Sequence, residues 1–303
     1  MIQGFATILA VILVGVVLAH RRVFDLRAQR VLADVAFLVG APALMFTVLA
    51  KAEPHRLFSQ ALAATVAGIL VPVVVYAVIS RRVWRRPLSE TVIGSLCSAY
   101  VNAGNLGIPI AAYVLGDAAK VAPVLLLQMV ILQPVALVLL DHDRAGGAFR
   151  WRTVATRPFT NPMTLGALAG VAVALGGWTV PPLILDPLQL VGAMAIPAML
   201  LGYGISLRLG PRFGGGAPLE VALTAVLKVV VQPLVAYAVG RLALDLPPAE
   251  LLAVTVTSAL PTAQNIFTHA TRYGRGEALA RDTILVTTIA CMPVITLVVL
   301  LPS

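Results

Sequence analysis

The sequence predicts an all-α membrane protein of ten transmembrane helices, arranged as two inverted repeats of five, with helices 4 and 9 broken where they cross. Three observations carry that expectation. The 303-residue chain is 59% hydrophobic and only 12% charged, with a mean hydropathy of +0.95, whereas soluble domains carry about 25% charged residues. Two stretches beginning at Ser98 and Ser258 match at a shift of 160 residues, which sets Ala103 on Ala263, Asn105 on Asn265 and Tyr113 on Tyr273. The basic residues, finally, alternate between rich and poor connections along the chain.

Spans near the roughly 20 residues that cross hydrocarbon are expected at 3–19, 31–50, 57–79, 91–115, 120–140, 161–177, 186–205, 218–240, 250–271 and 279–301. The first starts without a charge and is followed by His20, Arg21 and Arg22. A signal peptide has its charges ahead of the apolar run, so an uncleaved span is expected. Of the 22 Lys and Arg residues, 17 lie in or beside the connections after odd-numbered spans and 4 in those after even-numbered spans. By the positive-inside rule both termini face outward, and the odd connections are cytoplasmic. A multi-pass protein of the plasma membrane, a bacterial inner membrane, is the expected setting.

The repeat reaches past the broken spans. Pro42-Ala43-Leu44 matches Pro197-Ala198-Met199, Pro72 and Tyr76 match Pro233 and Tyr237, and Gln133-Pro134-Val135 matches Met292-Pro293-Val294. Five spans per copy make the second copy enter from the opposite side, hence an inverted pair. The first repeat covers 1–140 and the second 161–303, with a cytoplasmic linker at 141–160 that is too short for a domain.

Chemistry is expected at the breaks. Lipid tolerates interrupted helices only where they line a cavity or pack inside protein, and a matched pair of them points to a transporter's binding site. Half-helix N-termini suit a carboxylate, and C-termini suit a cation or a donor. Asn102, Asn105, Gln264 and Asn265 both donate and accept. Gly104 and Gly107 allow unusual backbone angles, while Pro109 and Pro261 remove a donor and stop the helix. The candidate substrate-binding residues are Asn102, Asn105, Gly107, Pro109, Lys228, Pro261, Thr262, Gln264 and Asn265. Polar residues that only cap and kink would give the same pattern.

Lys228 is the single basic residue well inside a span, at an insertion cost of about 2.5–3.5 kcal/mol. Two roles stay open for it: charge partner of an anion, or structural tether to carbonyls of the broken span 9. No Asp or Glu lies near the middle of a span, which argues against a cation as the main cargo. Gln128, Gln133 and Gln232 are assigned to helix–helix hydrogen bonding.

The composition excludes other classes. The net charge of +9 sits in short clusters between spans rather than on a face for nucleic acid. Cys97, Cys291 and the four histidines show no metal spacing, no cofactor motif is present, and no nucleophile–base pair or paired intramembrane acids suggest an enzyme.

At these residues the chain resembles the auxin efflux carrier family, which includes bacterial permeases and the plant PIN transporters. The likeness rests on Asn102 to Pro109, on Asn161-Pro162 with Gly166 and Gly170, and on the run from Ile196 to Leu207. Lys228 with Pro233, and Pro261-Thr262-Ala263-Gln264-Asn265, complete it. The resemblance implies secondary transport of organic anions such as auxin or malate. It further implies a fold like sodium/proton antiporters and bile-acid symporters, with a scaffold of spans 1, 2, 6 and 7. Spans 3–5 and 8–10 would form a transport domain moving like an elevator, and homodimers would pair through the scaffold. The long regulatory loop of the plant members is missing here. The coupling ion stays open between proton, sodium and none. The alternative reading is a sodium-coupled symporter of the bile-acid type.

Overall fold

A computed structural model describes residues 2–51, 60–145, 161–210 and 214–300. It is 84% helical, with no strand among the described residues. The expected linker at 141–160 lies outside them beyond residue 145. In chain order the helices are α1 (Ile2–His20), α2 (Leu26–Leu49), α3 (Ala61–Val83), α4 (Leu88–Ala99), α5 (Ile108–Tyr113) and α6 (Ala118–Asp143). They continue with α7 (Pro162–Gly176), α8 (Pro182–Leu209), α9 (Pro218–Ala243), α10 (Pro248–Ser258), α11 (Asn265–Tyr273) and α12 (Glu277–Leu300). Six of these, α2, α3, α6, α8, α9 and α12, are long and apolar enough to cross a bilayer, while Ala6–His20 and Pro162–Gly176 are shorter apolar helices. The chain is a multi-pass membrane protein.

Local chemistry explains where the helices begin and bend. Helix α2 starts at Leu26, five residues before the apolar run, because the Asp25 carboxylate accepts from the Arg27 and Ala28 amides at 2.9 and 2.8 Å. Those bonds hold the Asp25 carboxyl below its usual range. Helix α3 runs on through Arg81 and Arg82 to Val83, since long basic side chains carry their charge out to the interface while their stems stay apolar. Wider, π-helical turns end α3 and α9 at Ile79–Val83 and Val239–Ala243, and four more occupy Ala36–Gly40, Ala103–Gly107, Leu127–Leu132 and Leu227–Val231. Each of these four is followed within two residues by a proline, at Pro42, Pro109, Pro134 and Pro233. A proline supplies no N–H and its ring crowds the carbonyl four residues back, so the preceding turn opens.

Left-handed backbone positions recur at the repeat spacing. Arg22 (φ 59°) and Gly177 (φ 61°) follow α1 and α7. Arg85 (φ 55°) and Asp245 (φ 45°) follow α3 and α9, and Gly116 (φ 77°) matches Gly276 (φ 65°). The α3–α4 and α9–α10 connectors agree bond for bond. Trp84 N donates to Ile79 O as Leu244 N does to Val239 O, and Arg86 N to Ser80 O as Leu246 N to Gly240 O. Non-glycine residues accept left-handed angles at a cost, and Arg85 and Asp245 carry that cost in the two connectors alike.

The chain divides into two compact units. The first gathers the described residues of 1–58, 104–130 and 156–211; the second those of 59–103, 131–155 and 212–303. In the first, α1 packs along the second half of α8, and α2 along α7. Glycine makes these approaches possible. A Cβ on Gly204 would strike the Ile12 carbonyl, and one on Gly166 the Pro42 carbonyl. Small residues at helix contacts are the usual route to close packing in lipid. In the second unit, Val92, Ile93, Leu96 and Tyr100 of the α4 segment enclose a core with Leu137 and Leu140 of α6, Ile266 and Ala270 of α11, and Ala280 of α12. That core holds the two broken helices of this unit in register.

Candidate substrate site at the paired helix breaks

Helix α4 ends where Tyr100 turns extended (φ −80°, ψ 105°), and α10 ends ahead of Pro261, which has no N–H to continue it. Each break strands backbone groups that hydrocarbon cannot satisfy. Here the breaks satisfy one another. Asn102 N donates to Pro261 O at 2.8 Å and Ala263 N to Tyr100 O at 3.1 Å, an antiparallel bridge between Val101 and Thr262.

The carbonyl ends of both half-helices are then capped by side chains. Thr262 Oγ1 donates to Cys97 O at 2.6 Å. Gln232 Nε2 donates to Ala99 O at 3.1 Å, and Lys228 Nζ to Ser258 O at 3.0 Å. Lys228 and Gln232 stand one turn apart on α9, both fully buried, so one helix face serves both C-termini. A cation at a helix C-terminus is favourable by roughly 0.3–2 kcal/mol. No acidic side chain pairs with Lys228 among the described residues. Thr262 N in turn donates to Thr287 Oγ1 of α12 at 3.1 Å.

The N-terminal end of α11 is held differently. Gln264 takes its cap position and Asn265 its first turn. Tyr100, which shares a core with Ile266 of α11, donates its hydroxyl to Gln133 Oε1 at 2.9 Å.

Six of the nine expected residues therefore come together in the second unit: Asn102, Lys228, Pro261, Thr262, Gln264 and Asn265. Asn105, Gly107 and Pro109 belong to the first unit, where Gly107 caps α5 and Pro109 sits in its first turn. Gly104, also in that unit, faces Met163, whose Cε would lie 3.5 Å from an added Cβ. Sequence reasoning missed Tyr100 altogether and left Gln232 and Gln133 as general packing residues. The spacing of four between Lys228 and Gln232, each on the α9 face, was the signal available for Gln232.

The whole chain also matches a known family. A family model described as "Membrane transport protein" fits residues 1–143 and 150–299. The chain belongs to this family. It is the auxin efflux carrier family that the motif from Asn102 to Pro109 resembles. A Rhizobium meliloti (strain 1021) protein named "Putative malonate transporter" is 26% identical over 267 residues, which span 85% of this chain and 82% of that protein. The family description and the relative's name both point to a transporter rather than an enzyme.

Proposed function

We propose that the protein is a secondary transporter of small organic anions, carboxylates of the malonate, malate or auxin kind, and that the anion binds at the paired breaks. One observation carries the reading. In a membrane transport family member, two interrupted helices pair their backbones and have both carbonyl ends capped, one of them by an ammonium that has no carboxylate partner among the described residues. With the carbonyl ends closed, the breaks keep their half-helix N-termini and amide side chains for a negatively charged ligand. Asn265 and Gln264 stand at one such terminus. Lys228 adds positive charge within the same set of bonds. Asn105, the repeat counterpart of Asn265, is proposed as a ligand on that sequence match alone.

The name of the malonate relative supports the carboxylate class, and the recurring left-handed positions support ten spans in two related copies. The remainder follows the family resemblance and the distribution of basic residues. It comprises alternating access of the elevator kind, a plasma-membrane location and both termini outside. Uptake or exchange of labelled malonate by proteoliposomes tests the reading. Saturable flux that is lost in Asn265→Ala supports it; protein that reconstitutes in folded form and moves no carboxylate refutes it.

A further inference from the structure

Donors and acceptors do not balance where Lys228 and Gln232 meet the paired breaks. Both side chains are fully buried, one turn apart on α9. The Lys228 ammonium offers three N–H donors, and among the described residues its one hydrogen bond goes to Ser258 O. Gln232 Nε2 donates to Ala99 O at 3.1 Å, while Gln232 Oε1 has no hydrogen-bond partner among the described residues. The orientation of this amide is fixed by its partner. Ala99 O is a main-chain carbonyl and only accepts, so the group facing it is Nε2. Turning the amide over would set two acceptors against each other and still leave its other end without a partner. A buried polar atom left so calls for an explanation.

Hydroxyls on the neighbouring elements spend their protons elsewhere. Ser98 Oγ of α4 donates to Gly94 O at 2.9 Å, and Thr262 Oγ1 to Cys97 O. Thr255 Oγ1 and Thr257 Oγ1 of α10 donate to Leu251 O and Ala253 O at 2.7 and 2.8 Å, and Thr287 Oγ1 of α12 to Thr283 O at 2.8 Å. Spare N–H groups on the lysine beside a spare oxygen on the glutamine fit one ligand that accepts and donates at neighbouring atoms. A bare carboxylate only accepts. A carboxyl group keeps its proton only in acid, whereas an alcohol hydroxyl keeps its own at neutral pH.

We propose that Gln232 is a specificity residue, whose Oε1 accepts from a hydroxyl on the carbon next to the carboxylate that Lys228 holds. This rests on the organic-anion reading above and adds to it a preference for hydroxylated carboxylates over their unsubstituted counterparts. The carboxylate takes a spare Lys228 N–H and the hydroxyl fills Gln232 Oε1, while Ser258 O and Ala99 O keep their caps. A site that spends a buried polar atom on one substrate group rejects the analogue lacking that group, because the atom is then left unpaired. The alternating access proposed above brings the ligand to the buried pair.

The test is calorimetric binding to the purified full chain in nanodiscs at neutral pH. Three probes share one skeleton: malonate, its hydroxy derivative tartronate, and methoxymalonate, which keeps the added oxygen but has no donor. Tartronate should bind about tenfold or more tighter than malonate, and methoxymalonate no tighter than malonate. In Gln232→Met, its fold checked by cooperative thermal unfolding, the advantage of tartronate should vanish. The wild-type comparison decides even where that variant does not fold. Equal affinities for tartronate and malonate overturn the proposal, as does methoxymalonate that binds as well as tartronate. A folded Gln232→Met protein that keeps the preference overturns it too. If none of the three binds to wild-type protein that unfolds cooperatively, it is the organic-anion reading that fails, and this assignment with it.

Discussion

Thr262→Val is the most direct perturbation of the paired breaks. Thr262 is fully buried, and its Oγ1 lies 2.6 Å from Cys97 O. Cys97 stands in the last turn of α4, so its carbonyl has no helical N–H four residues ahead. Valine keeps the shape and removes only the hydroxyl. The Cys97 carbonyl is then left without this donor in a dry environment, at a cost of about 1–3 kcal/mol. For a chain of this size that corresponds to a fall in Tm of roughly 2–4 °C per kcal/mol. Thermal unfolding in detergent, followed by circular dichroism, measures it. Thr262→Ser should recover most of the loss, because the donor returns. Thr287→Val removes the acceptor of Thr262 N and should be non-additive with Thr262→Val, since both act on one residue. A Thr262→Val protein with unchanged Tm and undiminished transport would refute the idea that side-chain caps hold the breaks.

Three further outcomes follow from the same geometry. Lys228→Met removes an ammonium that has no acidic partner among the described residues while orphaning Ser258 O, and these effects oppose each other. Stability should change by less than about 2 kcal/mol while anion affinity falls about tenfold or more, read by unfolding and calorimetry on one sample. Unchanged affinity would leave Lys228 a tether only. Asn105→Ala and Asn265→Ala should each abolish malonate flux while the protein still reaches the membrane in folded form, measured by uptake alongside size-exclusion profiles; near-normal flux in both would remove them from the site. Gly204→Val drives a side chain into the Ile12 carbonyl and Gly15 of α1. It should destabilise by about 1–3 kcal/mol or more, by thermal unfolding, where an exposed loop variant would not.

Much of this was legible because lipid imposes simple rules. Long apolar runs had to be helices, and the Asn, Gly and Pro inside the stretches from Ser98 and Ser258 had to interrupt them. The positions of Asn102, Pro261 and Thr262 at one junction followed from that. Helix limits were less legible. Asp25 starts α2 early through a capping bond, and the arginines after Ser80 extend α3 by reaching outward, neither of which an apolar window registers. The π-helical turns ahead of Pro42, Pro134 and Pro233 come from backbone sterics rather than from hydropathy. At the site, Gln232 and Tyr100 were illegible for a different reason. Their roles depend on which carbonyl or amide the fold brings within reach, and Ala99 O lies 133 residues from its donor. Tyr100 also has Leu260 as its counterpart in the matching stretch, so its bond to Gln133 leaves no symmetric trace there.

Calorimetric titration of malonate into wild-type protein and Asn265→Ala tests the central claim that the paired breaks bind an organic anion. A hydrogen bond to a charged group contributes about 1.5–3 kcal/mol, so the account predicts saturable binding in the wild type and a loss of roughly tenfold or more in the variant. Equal affinity in two equally folded proteins would place the anion elsewhere, and no binding in either would end the anion reading.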